Sequence, residues 1–159
     1  MDATTMPSIL SQLLPKLNKN FPQITFEPSE RFAWAPDNHT VFYNETDENA
    51  AELLLHELSH GILEHHDYRK DVELLAMETA AWEKALELAK TYTIEIDDEV
   101  SEKHLDTYRD WMHARSTCPE CEATGYQTKK DTYSCVACGG SWRVNEARLC
   151  GLKRYTTAN

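Results

Sequence analysis

The first 117 residues contain no cysteine, and nowhere does the chain approach the roughly 18 consecutive apolar residues a membrane-spanning helix needs. The missing apolar run excludes a transmembrane helix from the reading. The N-terminus, MDATTMPSILSQLLPKLNKN, lacks a basic segment followed by an apolar one, so no secretory signal is read and a cytoplasmic protein is expected. There is no internal repeat and no low-complexity run. Positive charge is also scarce, with 16 Lys and Arg against 27 Asp and Glu and a net charge of −11. Such an acidic body disfavours unspecific binding to nucleic acid or to an anionic membrane. The imbalance is uneven. Residues 116–159 carry Lys129, Lys130, Arg143, Arg148, Lys153 and Arg154 against Glu120, Glu122, Asp131 and Glu146, which leaves room for a local contact with an acidic partner.

What is present suits one ordinary domain and a small module, 1–115 and 116–159, with Ser116-Thr117 at the boundary. The fold class expected is α+β. Ile9, Leu10, Leu13, Leu14 and Leu17 predict a helix over 7–20, which Pro15 would kink or stop early. Gln23 to Phe26, Arg31 to Trp34 and His39 to Tyr43 read as a small meander of strands, punctuated by Pro28-Ser29 and Pro36-Asp37-Asn38. Helices are then expected over 48–63, capped by Asp47, over 70–92 with Leu75, Thr79, Trp82, Leu86 and Ala89 on one face, and over 98–114. Short strands and turns fill 118–155.

The densest chemistry is His56-Glu57-Leu58-Ser59-His60. Histidines four apart on a helix project from one face, one turn apart, and can occupy two corners of a tetrahedral Zn²⁺. Glu57 stands beside them, free to take a proton from water that the metal acidifies. This is the H-E-x-x-H arrangement of metalloproteases. Leu53-Leu54-Leu55 before the motif and Gly61-Ile62-Leu63 after it predict a largely buried helix. Buried imidazoles without partners would each cost roughly 1–3 kcal/mol, and a metal supplies the partner.

The third ligand defines the subclass. His66 has the spacing of a third metzincin histidine, but Leu63 stands where that turn uses glycine, so the helix is expected to run on and carry His66 away. Glu73 and Glu78 on the next helix are the alternatives. Glu78 is preferred, because Thr79, Ala80 and Ala81 permit close helix packing while Glu73 is flanked by Leu74 and Leu75. His65, His66, Tyr68, His104 and Tyr108 are candidate donors to a developing oxyanion.

The order of a strand, a polar loop, Leu-Leu-His56-Glu-Leu-Ser-His60-Gly and then a Glu-x-x-Ala helix resembles the gluzincin layout, and most of all the ImmA/IrrE-type metallopeptidases, over roughly residues 8–92. The resemblance implies that His56, His60 and Glu78 bind the catalytic zinc and that Glu57 is the catalytic base. It implies that the 39–43 strand is a sheet edge on which an extended peptide substrate pairs. That family's glutamate helix often has Asp or Asn where this chain has Trp82.

All five cysteines follow residue 117. Cys118-x2-Cys121 and Cys135-x2-Cys138 give four thiolates in two knuckles, enough to close a tetrahedral Zn²⁺ completely and so to make a structural site, with a rubredoxin-like iron site as the chemical rival. A module of this size buries little core and needs such a staple. The region resembles a zinc ribbon, with Gly139-Gly140 in the turn after the second knuckle, Trp142 packed on the knot and Cys150 a small buried residue outside the ligand set. Arg143, Arg148, Lys153, Arg154 and Tyr155 are candidates for a basic face. The function expected is a zinc peptidase acting on a protein, with the ribbon for partner contact. The alternatives are a SprT-like protease working on DNA-associated proteins and a non-catalytic, zinc-stabilised binding module.

Overall fold

A computed structural model describes residues 8–157. Over these the chain is mixed α+β, with four helices and two small sheets. It divides into two compact units, Met1–His66 with Glu78–Val100, and Asp67–Met77 with Ser101–Asn159. No helix among the described residues is long and apolar enough to cross a membrane.

In the first unit, helix α1 (Ile9–Asn20) starts at Ser8, whose hydroxyl accepts from the Ser11 amide at 3.1 Å, a standard N-cap. It buries Leu10, Leu13 and Leu17. Pro15 neither stops nor shortens it: the residue lies on the exposed side, where water can satisfy the carbonyl that loses its partner.

Strands β1 (Thr25–Pro28), β2 (Ala33–Ala35) and β3 (Thr40–Tyr43) form one sheet in the order β1-β3-β2. The expected meander of two or three strands holds for β2 and β3 and not for β1. β1 skips its sequence neighbour and pairs in parallel with β3, while β2 pairs antiparallel to β3 on the other side. The 39–43 segment is therefore the central strand and not an edge, with both its ladders occupied and Val41 fully buried. The free edges belong to β1 and β2.

Helix α2 (Ala50–Ile62) packs against β2, β3 and α1. Leu54, Leu55 and Leu58 are wholly buried, and Ser59 satisfies its buried hydroxyl on the Leu55 carbonyl at 2.7 Å. Its N-cap is Asn49, without a side-chain cap bond; Asp47 instead accepts from the Asn49 amide, two residues later than expected. Gly61 is required by close approach, since a Cβ there would lie 2.9 Å from the Trp34 indole. Helix α3 (Asp71–Tyr92) contributes Glu78–Tyr92 to this unit. Its buried stripe is Ala81, Trp82, Ala85, Leu88 and Ala89; Leu86, expected inside, is exposed.

In the second unit, most of helix α4 (Asp98–Ser116) accompanies an antiparallel sheet of β4 (Tyr126–Lys129), β5 (Thr132–Ser134), β6 (Ser141–Val144) and β7 (Arg154–Thr156), in that order. Its core is Cys118, Tyr133, Cys135, Trp142 and Val144. Trp142 is wholly buried, stacks on Tyr133 and donates its indole N–H to the Arg115 carbonyl at 2.9 Å. Gly125 leaves room for this ring; a Cβ would lie 2.3 Å from it. Gly139, at φ 74°, makes the turn after the second knuckle.

A buried polar clasp completes this unit. Arg115 grips Asp71 with Nε at 2.8 Å and Nη2 at 3.3 Å, and both residues are almost wholly buried. Tyr133 Oη and Gln127 Nε2 donate to the same carboxylate. The remaining guanidinium protons reach the Asn145 and Lys130 carbonyls. Burial raises the Asp71 pKa, against the opposing pull of Arg115.

Candidate metal centres

Helix α2 places His56 and His60 on one buried face, one turn apart. Glu78 on α3 comes to meet them. His56 Nε2 lies 2.8 Å from Glu78 Oε2 and 3.2 Å from His60 Nε2, and His60 Nε2 lies 3.3 Å from the same carboxylate. A tetrahedral zinc with bonds of about 2.0–2.1 Å needs donor separations of about 3.3–3.4 Å. The three donors are thus already near the spacing one ion would hold, and they could hold a metal ion. Trp82 stacks on His56, with ring centroids 4.3 Å apart, and backs that imidazole with an apolar face.

The electrostatics fit a cation. Burial favours a protonated Glu78, but hydrogen bonds from His56 and His60 overcome it and hold the carboxyl far below its ordinary range. Burial lowers His56, outweighing Glu78. Burial also pulls His60 down, but Glu78 and Glu57 outweigh it and its pKa is raised. Glu57 is half-buried, and desolvation with the nearby Glu78 charge pushes its pKa up to about 7, against His60 and the Trp34 backbone amide.

Other candidates go elsewhere. Glu73 is exposed and accepts from the Arg69 amide at 2.8 Å, ahead of α3. His66 is exposed. The reason differs from the one expected: α2 does not run on but ends at Ile62, with Leu63 as C-cap and Glu64 in the left-handed region at φ 57°. The turn brings His65 back, and its Nδ1 lies 2.8 Å from His60 Nδ1. Nothing in the residue types announces this, because a glutamate takes the conformation that glycine usually marks. Tyr68, His104 and Tyr108 fall in the second unit, where Lys130 covers Tyr68 and Arg148 lies 3.4 Å above the Tyr108 ring.

The second group lies in the second unit. Cys118 Sγ is 3.7 Å from Cys138 Sγ, and Cys121 Sγ is 3.6 Å from Cys135 Sγ; all four sulfurs lie within 4.8 Å of one another. Zinc–sulfur bonds of about 2.3 Å place tetrahedral ligands about 3.8 Å apart, so this group too could hold a metal ion. Amides of Cys121 and Glu120 draw the Cys118 thiol down to about 7 against burial; at Cys138 the Gly140 amide pulls downward, but the neighbouring sulfurs and burial outweigh it and push the thiol up to about 12. Cys150 is exposed, not buried as expected, because it sits in the irregular segment between β6 and β7.

Three arginines of this unit have their own contacts. Arg143 lies over Tyr155, Arg148 over Tyr108, and Arg154 donates to the Thr117 carbonyl at 2.7 Å. Comparison with family models, curated proteins and solved structures finds no match to this chain.

Proposed function

We propose that the chain is a zinc-dependent metallopeptidase of the HExxH type, in which His56, His60 and Glu78 hold the reactive zinc and the four cysteines hold a structural one. The observation that carries this reading is the convergence of three donor atoms, from two helices, at 2.8–3.3 Å, with Glu57 adjoining His56 in the chain. Three protein donors leave a tetrahedral ion one open position, as in catalytic sites, whereas four thiolates leave none.

When bound, the zinc would acidify a water molecule and polarise a peptide carbonyl. The chain's own residues supply the rest. Glu57 is the general base: it takes the proton of the attacking water and returns it to the leaving amine. Glu78 contributes the negative charge of the ligand set, and Trp82 excludes water from one face of His56. An extended substrate would pair with the free edge of β2, whose Trp34 lies against α2 at Gly61 and offers its amide towards Glu57.

The fold reading that goes with this is zincin-like and resembles the ImmA/IrrE family. The motif helix packed on a small sheet, and a glutamate from the following helix, support it. The substrate would be a protein, with the ribbon contacting a partner, in a reducing compartment such as the cytoplasm. A SprT-like site has less support, since it needs a third histidine: His66 is exposed, and His65 faces the outer nitrogen of His60.

Glu57→Gln is the test. Peptide hydrolysis should vanish while the zinc content stays at two per chain; hydrolysis at the parental rate would remove Glu57 from the base role and with it this mechanism.

A further inference from the structure

His60 makes one contact that ligation does not require: its outer nitrogen meets another histidine. Resting on the metal-site reading above, we propose that His65 is a positioning residue that fixes the tautomer and tilt of His60 by accepting the proton on its Nδ1.

The assignment follows from counting protons. His60 turns Nε2 towards His56 Nε2 and Glu78, so Nε2 is its ligand atom. A neutral imidazole that ligates through Nε2 carries its proton on Nδ1. That nitrogen lies 2.8 Å from His65 Nδ1, a hydrogen-bond distance that one shared proton satisfies. His60 is the donor, so His65 must be the acceptor and keep its own proton on Nε2. Ligating histidines ordinarily find a carboxylate, a carbonyl or water for this purpose. A neutral imidazole does the same work without adding charge, leaving Glu78 as the negative member of the set.

Local structure is arranged to hold the acceptor in place. The His65 amide donates to the His60 carbonyl at 2.9 Å, a five-residue closure that ends α2. Glu64 takes the left-handed conformation, at φ 57°, that folds the chain back. The Trp34 indole N–H donates to the His65 carbonyl at 3.1 Å, and the same ring presses on Gly61. His65 is thus pinned through its backbone at both ends, with its ring stacked edge-on against His60 at a centroid distance of 5.1 Å. A loop residue left to itself would be free to turn away.

Geometry supplies a discriminating pair of variants. Asparagine puts its carbonyl oxygen at the δ position, where Nδ1 now accepts; glutamine carries its amide out to the ε position. The measurement is zinc affinity of the full-length chain by competition with a chelator, with circular dichroism to show that each variant is folded. His65→Ala and His65→Gln should lose about 10- to 100-fold in affinity at the first site, while His65→Asn should restore it nearly to the parental value. The four-cysteine site should be unchanged in all three. Equal affinity in alanine, asparagine, glutamine and parent would overturn the positioning role, and so would glutamine rescuing as well as asparagine. If the parent binds a single zinc and His56→Ala does not alter that count, the metal-site reading itself fails, and the inference falls with it.

Discussion

The two donor groups differ in how they are closed. The cysteine group has four like atoms with spacings of 3.6 and 3.7 Å, drawn from two short knuckles, and it sits beside the core of its own unit. The histidine–glutamate group has three donors, the third from a different helix 18 residues beyond His60, and a second carboxyl, Glu57, next to His56 in the chain. Four protein ligands complete a tetrahedral ion, whereas three leave one position open. The second unit repeats the lesson without metal. Asp71 and Arg115 are as buried as the histidines, and their bonds are answered by Tyr133, Gln127 and backbone carbonyls.

The largest effect should come from breaking the closed group. Cys135→Ser should lower zinc content from two to one and remove amide-exchange protection from β4–β7, because structural zinc binding contributes about 10 kcal/mol or more to folding such a module. His60→Ala should also cost one zinc, yet leave the exchange protection of α1, α2 and α3 largely intact. Equal unfolding in both variants would erase the distinction between the sites.

Next in size is the clasp. Asp71→Ala leaves the Arg115 charge buried without its carboxylate, and should destabilise the second unit by about 3–5 kcal/mol in urea unfolding. Little change would mean that the clasp is not a closed unit.

The pH dependence of the metal-free chain should separate the two carboxyls. Glu57 has its folded pKa raised, so the folded state binds more protons than the unfolded one and stability falls as pH rises from about 4.5 to about 7. Glu57→Gln should therefore stabilise the metal-free protein at pH 8 by up to about 3 kcal/mol, and hardly at all at pH 4. Glu78 is depressed, so its contribution is present above its unfolded value near 4.5 and is lost as pH falls below it. Denaturant titrations at several pH values read both. The smallest effects complete the series: His66→Ala and Cys150→Ser, both at exposed positions, should leave two zinc per chain.

The parts of this molecule legible from sequence are those whose signal is local. Helical periodicity placed α3 and α4 within two residues of their observed ends, and cysteine spacing marked the quartet, because knuckles are formed by neighbours in the chain. The small residues after Glu78 pointed to close packing there; Ala81 is fully buried, and Thr79 and Ala80 are half-buried. Strand order was illegible, since β1 chooses β3 across an intervening strand and nothing in four residues encodes a partner. The end of α2 was hidden by a left-handed Glu64, and His65 with it. Asp71 and Arg115 are 44 residues apart and carry no motif; each alone reads as a surface charge.

An anomalous difference map of the full-length protein, collected at the zinc edge, tests the central claim most directly. Two peaks are predicted, one among the four sulfurs and one bonded to His56 Nε2, His60 Nε2 and the Glu78 carboxylate. A fully metallated crystal with a peak at the cysteines and none between the two imidazoles would contradict the account.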